Sequence, residues 1–389
     1  MPTVNVNVQP AIISWALSQT SEEKLGTKLM ENIKQWLAGT KRPTFNQIED
    51  FSKKSHIPLG YFFLQTPPVE QISLLEYRTL DSIELTNPSR NLIDTIREME
   101  AVQEWMIDYR KEWNYDVINV VGSLKDFTDI KIIADTIRND LGLTVEWYGT
   151  CANSSEAFNK VRKLLEDCGI VVMMNGIVGK NTHRVLDVNE FRAFAMVNEW
   201  APLIFINGAD SAGGKLFSLF HETVHLWIGE NDLYNDRRYS INETKPIEFI
   251  CNAVAGELMV PENVFLQKWN SNTNDDIHER IKVLARMFRC SGSVIARRAL
   301  DNKKIDKSVY DRVIADAIEA YIQAKKEGSS GGDYYRVARS KLDSVFVRAL
   351  CESVNSGRTS FTEADRLTNT TSKTFSEVAS GLGLSLIHI

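Results

Sequence analysis

Apolar positions recur at helical spacing through most of this chain and shift to strand-like clustering in only one interval. Residues 11–19 carry an apolar face. Residues 28–37 place Leu29, Ile33, Trp36 and Leu37 on one side, and after a turn at 39–43 the period continues through Phe45, Ile48, Phe51 and Ile57. Gln65-Thr-Pro-Pro68 breaks that pattern and marks a domain edge. Residues 91–142 read as helical, with Ile93, Ile96, Met99, Val102, Trp105 and Met106 on one side. Residues 154–168 form an amphipathic helix carrying Phe158, Val161, Leu164 and Leu165. After it, 169–174, 191–197 and 202–206 are short strand candidates. Helical spacing returns at 211 and persists to the end, interrupted at 325–332 (KKEGSSGG), which reads as a flexible linker. The expected fold class is therefore α+β and mostly helical, with a small β-sheet ahead of a long apolar helix.

These breaks divide the chain into a helical domain at 1–66, a helical connecting region at 67–150, a core at 151–305 and a C-terminal helical extension at 306–383. Residues 384–389 (LSLIHI) resemble translated sequencing adapter and are set aside, His388 with them. The chain has 389 residues, 43% of them hydrophobic and 25% charged, with a net charge of −6, which argues against indiscriminate affinity for nucleic acid. Its five cysteines are widely spaced and form no C-x-x-C, so they read as reduced thiols in a cytoplasmic protein. The N-terminus lacks a basic start followed by a continuous apolar core, and no run of apolar residues reaches membrane-spanning length.

Candidate chemistry lies in residues 217–229 (FSLFHETVHLWIG). His221 and His225 are four apart, so on a helix both imidazoles share one face and can reach a single Zn²⁺. Glu222 follows directly, where its carboxylate can take a proton from an activated water. Ser211 is a suitable N-cap and Gly229 a suitable stop. Apolar neighbours on most sides of this helix imply burial, and buried imidazoles need hydrogen bonds or a metal.

A catalytic zinc takes three protein ligands as a rule. The position that a metzincin would fill with histidine is Asn231, and His278 lies in a charged segment as a solvated helix residue. A carboxylate is the better third ligand. Glu248 opens the helix that begins after Lys245-Pro246 and shares a face with Asn252, four residues on. From there Asn252 can hold the second ring nitrogen of a ligand histidine. Glu230, Asp232, Asp236 and Glu243, in a polar loop, and Glu257, half a turn round from Glu248, compete with it on spacing alone.

The run FSLFHETVHLWIG, then Glu248, Cys251-Asn252, Val254-Ala255 and Leu258-Met-Val-Pro261, resembles the ImmA/IrrE-type zinc metallopeptidases. Further matching pieces are Tyr77-Arg78-Thr79, Phe191-Arg-Ala-Phe194 and residues 202–207, and the tail at 346–350 and 360–366 is similar to the extension of longer members. The resemblance implies a zincin-like core in which His221, His225 and Glu248 hold zinc and Glu222 is catalytic. Departures are Val224, where Gly or Ala is common, and Cys251 and Val254 for Ala and Phe. It also implies an endopeptidase that cleaves a transcriptional repressor of a mobile element or stress response.

Residues 33–59 are similar to a phage-repressor helix-turn-helix, which makes DNA a candidate partner of the N-terminal domain. Between 22 and 56 the charge is thin, however, with Lys and Arg barely outnumbering Asp and Glu. Residues 281–298 have similar spacing. The competing functional class is therefore a DNA-binding regulator or antitoxin-like partner with a silent or structural zinc site. For an enzyme, residues 202–206 are a candidate strand edge for the substrate, and Tyr234 and His183 are candidate oxyanion donors by chemistry alone.

Overall fold

The computed structural model describes residues 4–20, 22–70, 74, 88–234, 246–271, 276–327 and 333–386. Tyr77-Arg78-Thr79, Asp236, Glu243 and residues 328–332 of the expected linker lie outside these, as do 387–389. The chain forms two compact units, Met1–Arg97 and Glu98–Ile389.

In the first unit, helices α1 (Pro10–Ser18), α2 (Glu22–Leu25), α3 (Thr27–Leu37) and α4 (Phe45–Ser55) precede a 3-10 turn at Leu59–Phe63. Ile12, Ile33, Ile48, Phe51 and Phe62 meet in its core. The start of α4 is set by a reciprocal pair: Gln47 N–H donates to the Thr44 hydroxyl, and the Thr44 N–H donates to the Gln47 side chain. Lys53 and Lys54 on this helix pair with Glu49 and Asp50.

The rest of the chain is α+β and mostly helical. α5 (Arg90–Glu112), α6 (Ile130–Leu141) and α7 (Ser154–Asp167) lead into strands β1 (Val171–Asn175), β2 (Ala193–Met196) and β3 (Leu203–Asn207). The stretch 91–142, read as helical, holds two helices. Between them, Asn114 takes a left-handed φ of 53° and residues 113–129 turn without helix. α8 (Ala212–Ile228) follows β3, then β4 (Asp232–Tyr234), α9 (Pro246–Met259), α10 (Glu262–Ser271), α11 (Ile277–Phe288), α12 (Gly292–Asp301) and α13 (Lys307–Glu327). α13 continues through the first residues of the expected linker, Lys325–Glu327, all good helix formers. The tail is α14 (Tyr334–Lys341), α15 (Ser344–Asn355), α16 (Phe361–Thr368) and α17 (Ser372–Ser380).

The sheet has order β1-β3-β2-β4, with β1 parallel to β3 and the other pairs antiparallel. Two expectations are corrected here. Residues 202–206 are not an edge, because Leu203–Asn207 is bonded on both sides, and among the described residues the edges are β1 and β4. Asp232, expected in a loop, instead opens β4, whose partner β2 lies far back in sequence.

On one face of the sheet Ala193, Ala195, Ile204 and Ile206 pack into the core that α8 enters. The two alanines are small enough to let a helix lie close. On the other face Phe194 and Phe205 stack at 5.0 Å. No single helix among the described residues is long and apolar enough to cross a membrane. Only the bent pair α9 and α10 meets that test together, and α9 is packed into the core.

Candidate metal centre

α8 begins and ends where local chemistry dictates. The Ser211 hydroxyl accepts from Gly214 N–H at 3.0 Å, and Gly229 leaves the helix at φ 86°. A side chain at Gly229 would be strained by that φ and would also meet the Gly122 Cα at 3.0 Å. The loop that makes this approach completes the helix: Gly122 N–H donates to Leu226 C=O at 3.0 Å and Leu124 N–H to Trp227 C=O at 2.8 Å, capping carbonyls that have no partner within the helix.

Apolar side chains wall α8 in. Leu219, Phe220, Val224 and Leu226 are fully buried. Trp147 meets Phe220 edge-on at 5.6 Å, and the Trp227 indole N–H donates to Asp140 Oδ2 at 2.8 Å. Val224, the departure from the family pattern, sits in this core.

Within that dry setting His221, Glu222 and His225 are all buried. His221 Nδ1 lies 3.1 Å from Asn252 Oδ1 on α9. The amide oxygen can only accept, so Nδ1 carries the proton and Nε2 keeps its lone pair. That Nε2 lies 3.2 Å from His225 Nε2 and 3.4 Å from Glu248 Oε2, and His225 Nε2 is 3.4 Å from Glu248 Oε1. Three electron-rich donors, one from each side chain, thus lie within 4.8 Å of one another.

Crowding lone pairs and a carboxylate together away from water is unfavourable without a positive charge among them. The spacing also fits a particular ion. Donors about 2.05 Å from a tetrahedral zinc stand about 3.3 Å apart; the two imidazole Nε2 atoms stand 3.2 Å apart, and each lies 3.4 Å from a different oxygen of Glu248. The residues present therefore fit a small divalent cation with N and O ligands.

The competing acids are placed elsewhere or not described. Glu257 is held by Arg298 at 3.1 Å and accepts from Glu262 N–H, Glu230 is exposed, and the side chain of Asp232 lies outside the described residues. Asn231 accepts from Val197 N–H at 2.5 Å, which pins the chain after α8 to the end of β2. His183 is exposed in the connection after β1, and the Tyr234 side chain is outside the described residues. His278, expected to be solvated, is half-buried in the first turn of α11.

Phe217, one turn before His221 and among the apolar neighbours expected around this helix, places its ring 6.4 Å from that of His221. Sequence reasoning missed Asp140, which no motif marks.

Residues 165–300 match the family model described as IrrE N-terminal-like domain (Peptidase M78), and residues 342–380 match a Domain of unknown function (DUF8813). Searches of curated proteins and of solved structures gave no match. The matched stretch contains α8, α9 and every side chain of the three-donor cluster. That stretch is an IrrE N-terminal-like domain, and its presence supports a peptidase of the ImmA/IrrE type.

Proposed function

We propose that the chain is a zinc-dependent endopeptidase that cleaves a protein substrate, a transcriptional repressor by the family resemblance. The observation that carries this is the convergence of His221, His225 and Glu248, with one donor atom from each within 4.8 Å of the others, beside a buried Glu222. Zinc bound there supplies Lewis acidity, which makes water a better nucleophile and polarises the peptide carbonyl.

The chain's own residues do the rest. Asn252 fixes the His221 tautomer so that Nε2 faces the ligand cluster. Glu222 accepts a proton as water oxygen bonds to the carbonyl carbon, and gives it to the amine nitrogen as the C–N bond breaks. An extended substrate segment pairs with the outer side of β4, the strand that follows directly on α8.

Glu222→Gln tests the reading. The purified variant is expected to keep its metal and to lose cleavage of repressors encoded beside the gene by about 10²–10⁴-fold, the usual worth of a general acid–base. Cleavage at the wild-type rate with metal retained would remove Glu222 from the mechanism.

A further inference from the structure

β1 is an edge strand, and Val172 turns both of its backbone groups away from β3. No fifth strand receives them among the described residues. Val172 N–H donates to Asp343 Oδ2 at 2.8 Å, and Val172 C=O accepts from Arg162 Nη2 at 2.7 Å. An open edge would invite pairing with another chain, and here two side chains close it. Asp343 is fully buried and stands at the start of the C-terminal module, residues 342–380. It is also the N-cap of α15, its Oδ1 accepting from Phe346 N–H at 2.7 Å. The same carboxylate therefore caps a helix in the module and fills a ladder position on the sheet.

We propose that the C-terminal module is a proton-sensitive cap on the β1 edge of the peptidase sheet, gripped through Asp343, Glu166 and Arg162. Arg162 on α7 donates Nε to Glu166 Oε1 at 2.8 Å, and its other N–H groups go to the carbonyls of Val172, Ser340 and Leu342. Glu166, also buried, accepts from the Ser344 hydroxyl. Arg110 on α5 is the other cation whose field reaches Asp343, and it donates its own hydrogen bonds to the carbonyls of Trp200 and Gly169. From β1, Met173 Sδ accepts from the Asp343 N–H at 3.4 Å.

Two carboxylates thus share one buried pocket, and neither guanidinium donates to Asp343. Burial, with the charge of Glu166 second, pushes the Asp343 carboxyl up to about 7, against the pull of Val172 N–H, Arg162 and Phe346 N–H. A carboxyl raised in the folded state stabilises while protonated. The cap is therefore tightest in acid, loosens as pH rises towards about 7, and depends on this proton no further above that.

The consequence reaches the site indirectly, because α7 carries Arg162 and Glu166 on one side and packs Phe158, Val161 and Leu165 into the core shared with α8. Hydrogen exchange of the full-length protein tests the proposal, with peptides covering Val172 and residues 340–346 followed across neutral pH and corrected for intrinsic exchange. Opening in the wild type is expected to rise with pH by up to about tenfold per unit below the transition, the limit for one proton, and to level off above it. Glu166→Gln, which keeps the shape and removes one charge, is expected to flatten that rise and leave the cap closed at higher pH. Asp343→Asn is expected to be open throughout, since its amide group presents a donor to one of the two N–H groups. A flat wild-type profile, or a slope unchanged in Glu166→Gln, overturns the proposal.

Discussion

Asn252 offers the sharpest test of how the ligand cluster is built. Replacing it with Ala removes the acceptor 3.1 Å from His221 Nδ1 and leaves that N–H in a partly buried place without its partner. A lost partner of this kind costs about 1–3 kcal/mol. The ring is then free to rotate or change tautomer, and loss of such a partner costs about 10–100-fold in metal affinity. The two estimates agree, since 10–100-fold corresponds to about 1.4–2.8 kcal/mol. Helix propensity offsets part of that cost to the fold, because Ala in a helix interior is favoured over Asn by up to about 0.7 kcal/mol.

Competition for zinc against a chromophoric chelator, at fixed pH, measures the effect directly. Asn252→Asp supplies an acceptor with added charge and should bind at least as tightly as the wild type. Unchanged affinity in a well-folded Asn252→Ala would refute the orienting role. Equal losses in the Ala and Asp variants would show that acceptance from the ring is not what matters.

Three further outcomes are expected. Zinc in hundredfold excess over its Kd should stabilise the protein by about 2.7 kcal/mol. A chelator should reverse the rise in Tm, and a Glu248→Ala variant should show little of it. Gly229→Ala should lower stability by more than the roughly 1–2 kcal/mol that a left-handed φ costs an ordinary residue, because its Cβ also meets Gly122, and urea unfolding reads the difference. Phe220→Ala should cost about 3–5 kcal/mol in the same assay by emptying the space against Trp147. A loss below 1 kcal/mol would mean that this wall repacks.

What could be read from residues alone was what depends on near neighbours. Ser211 and Gly229 bound α8 because capping is settled within a few residues, and the i,i+4 relations of His221 with His225 and of Glu248 with Asn252 follow from helical geometry alone. The pairing of the two helices was legible only through family resemblance, because nothing local to Glu248 points at His221. Strand order escaped because pairing is non-local: residues 202–206 look the same whether bonded on one side or two, and β4 is three residues that become a strand only beside β2. Arg162 and Glu166 are four residues apart, and no motif in the sequence marks them as buried. Asp343, far along the chain, is part of what buries them.

The loop around Gly122 has a consequence for the order in which the protein is made. Its amides receive the final carbonyls of α8, yet it leaves the ribosome well before that helix exists. During synthesis the receptor is waiting when the histidine-bearing segment emerges, so the helix can terminate on a surface already present. A circularly permuted gene beginning after residue 129 would reverse that sequence, and the segment would emerge with nothing to receive its end.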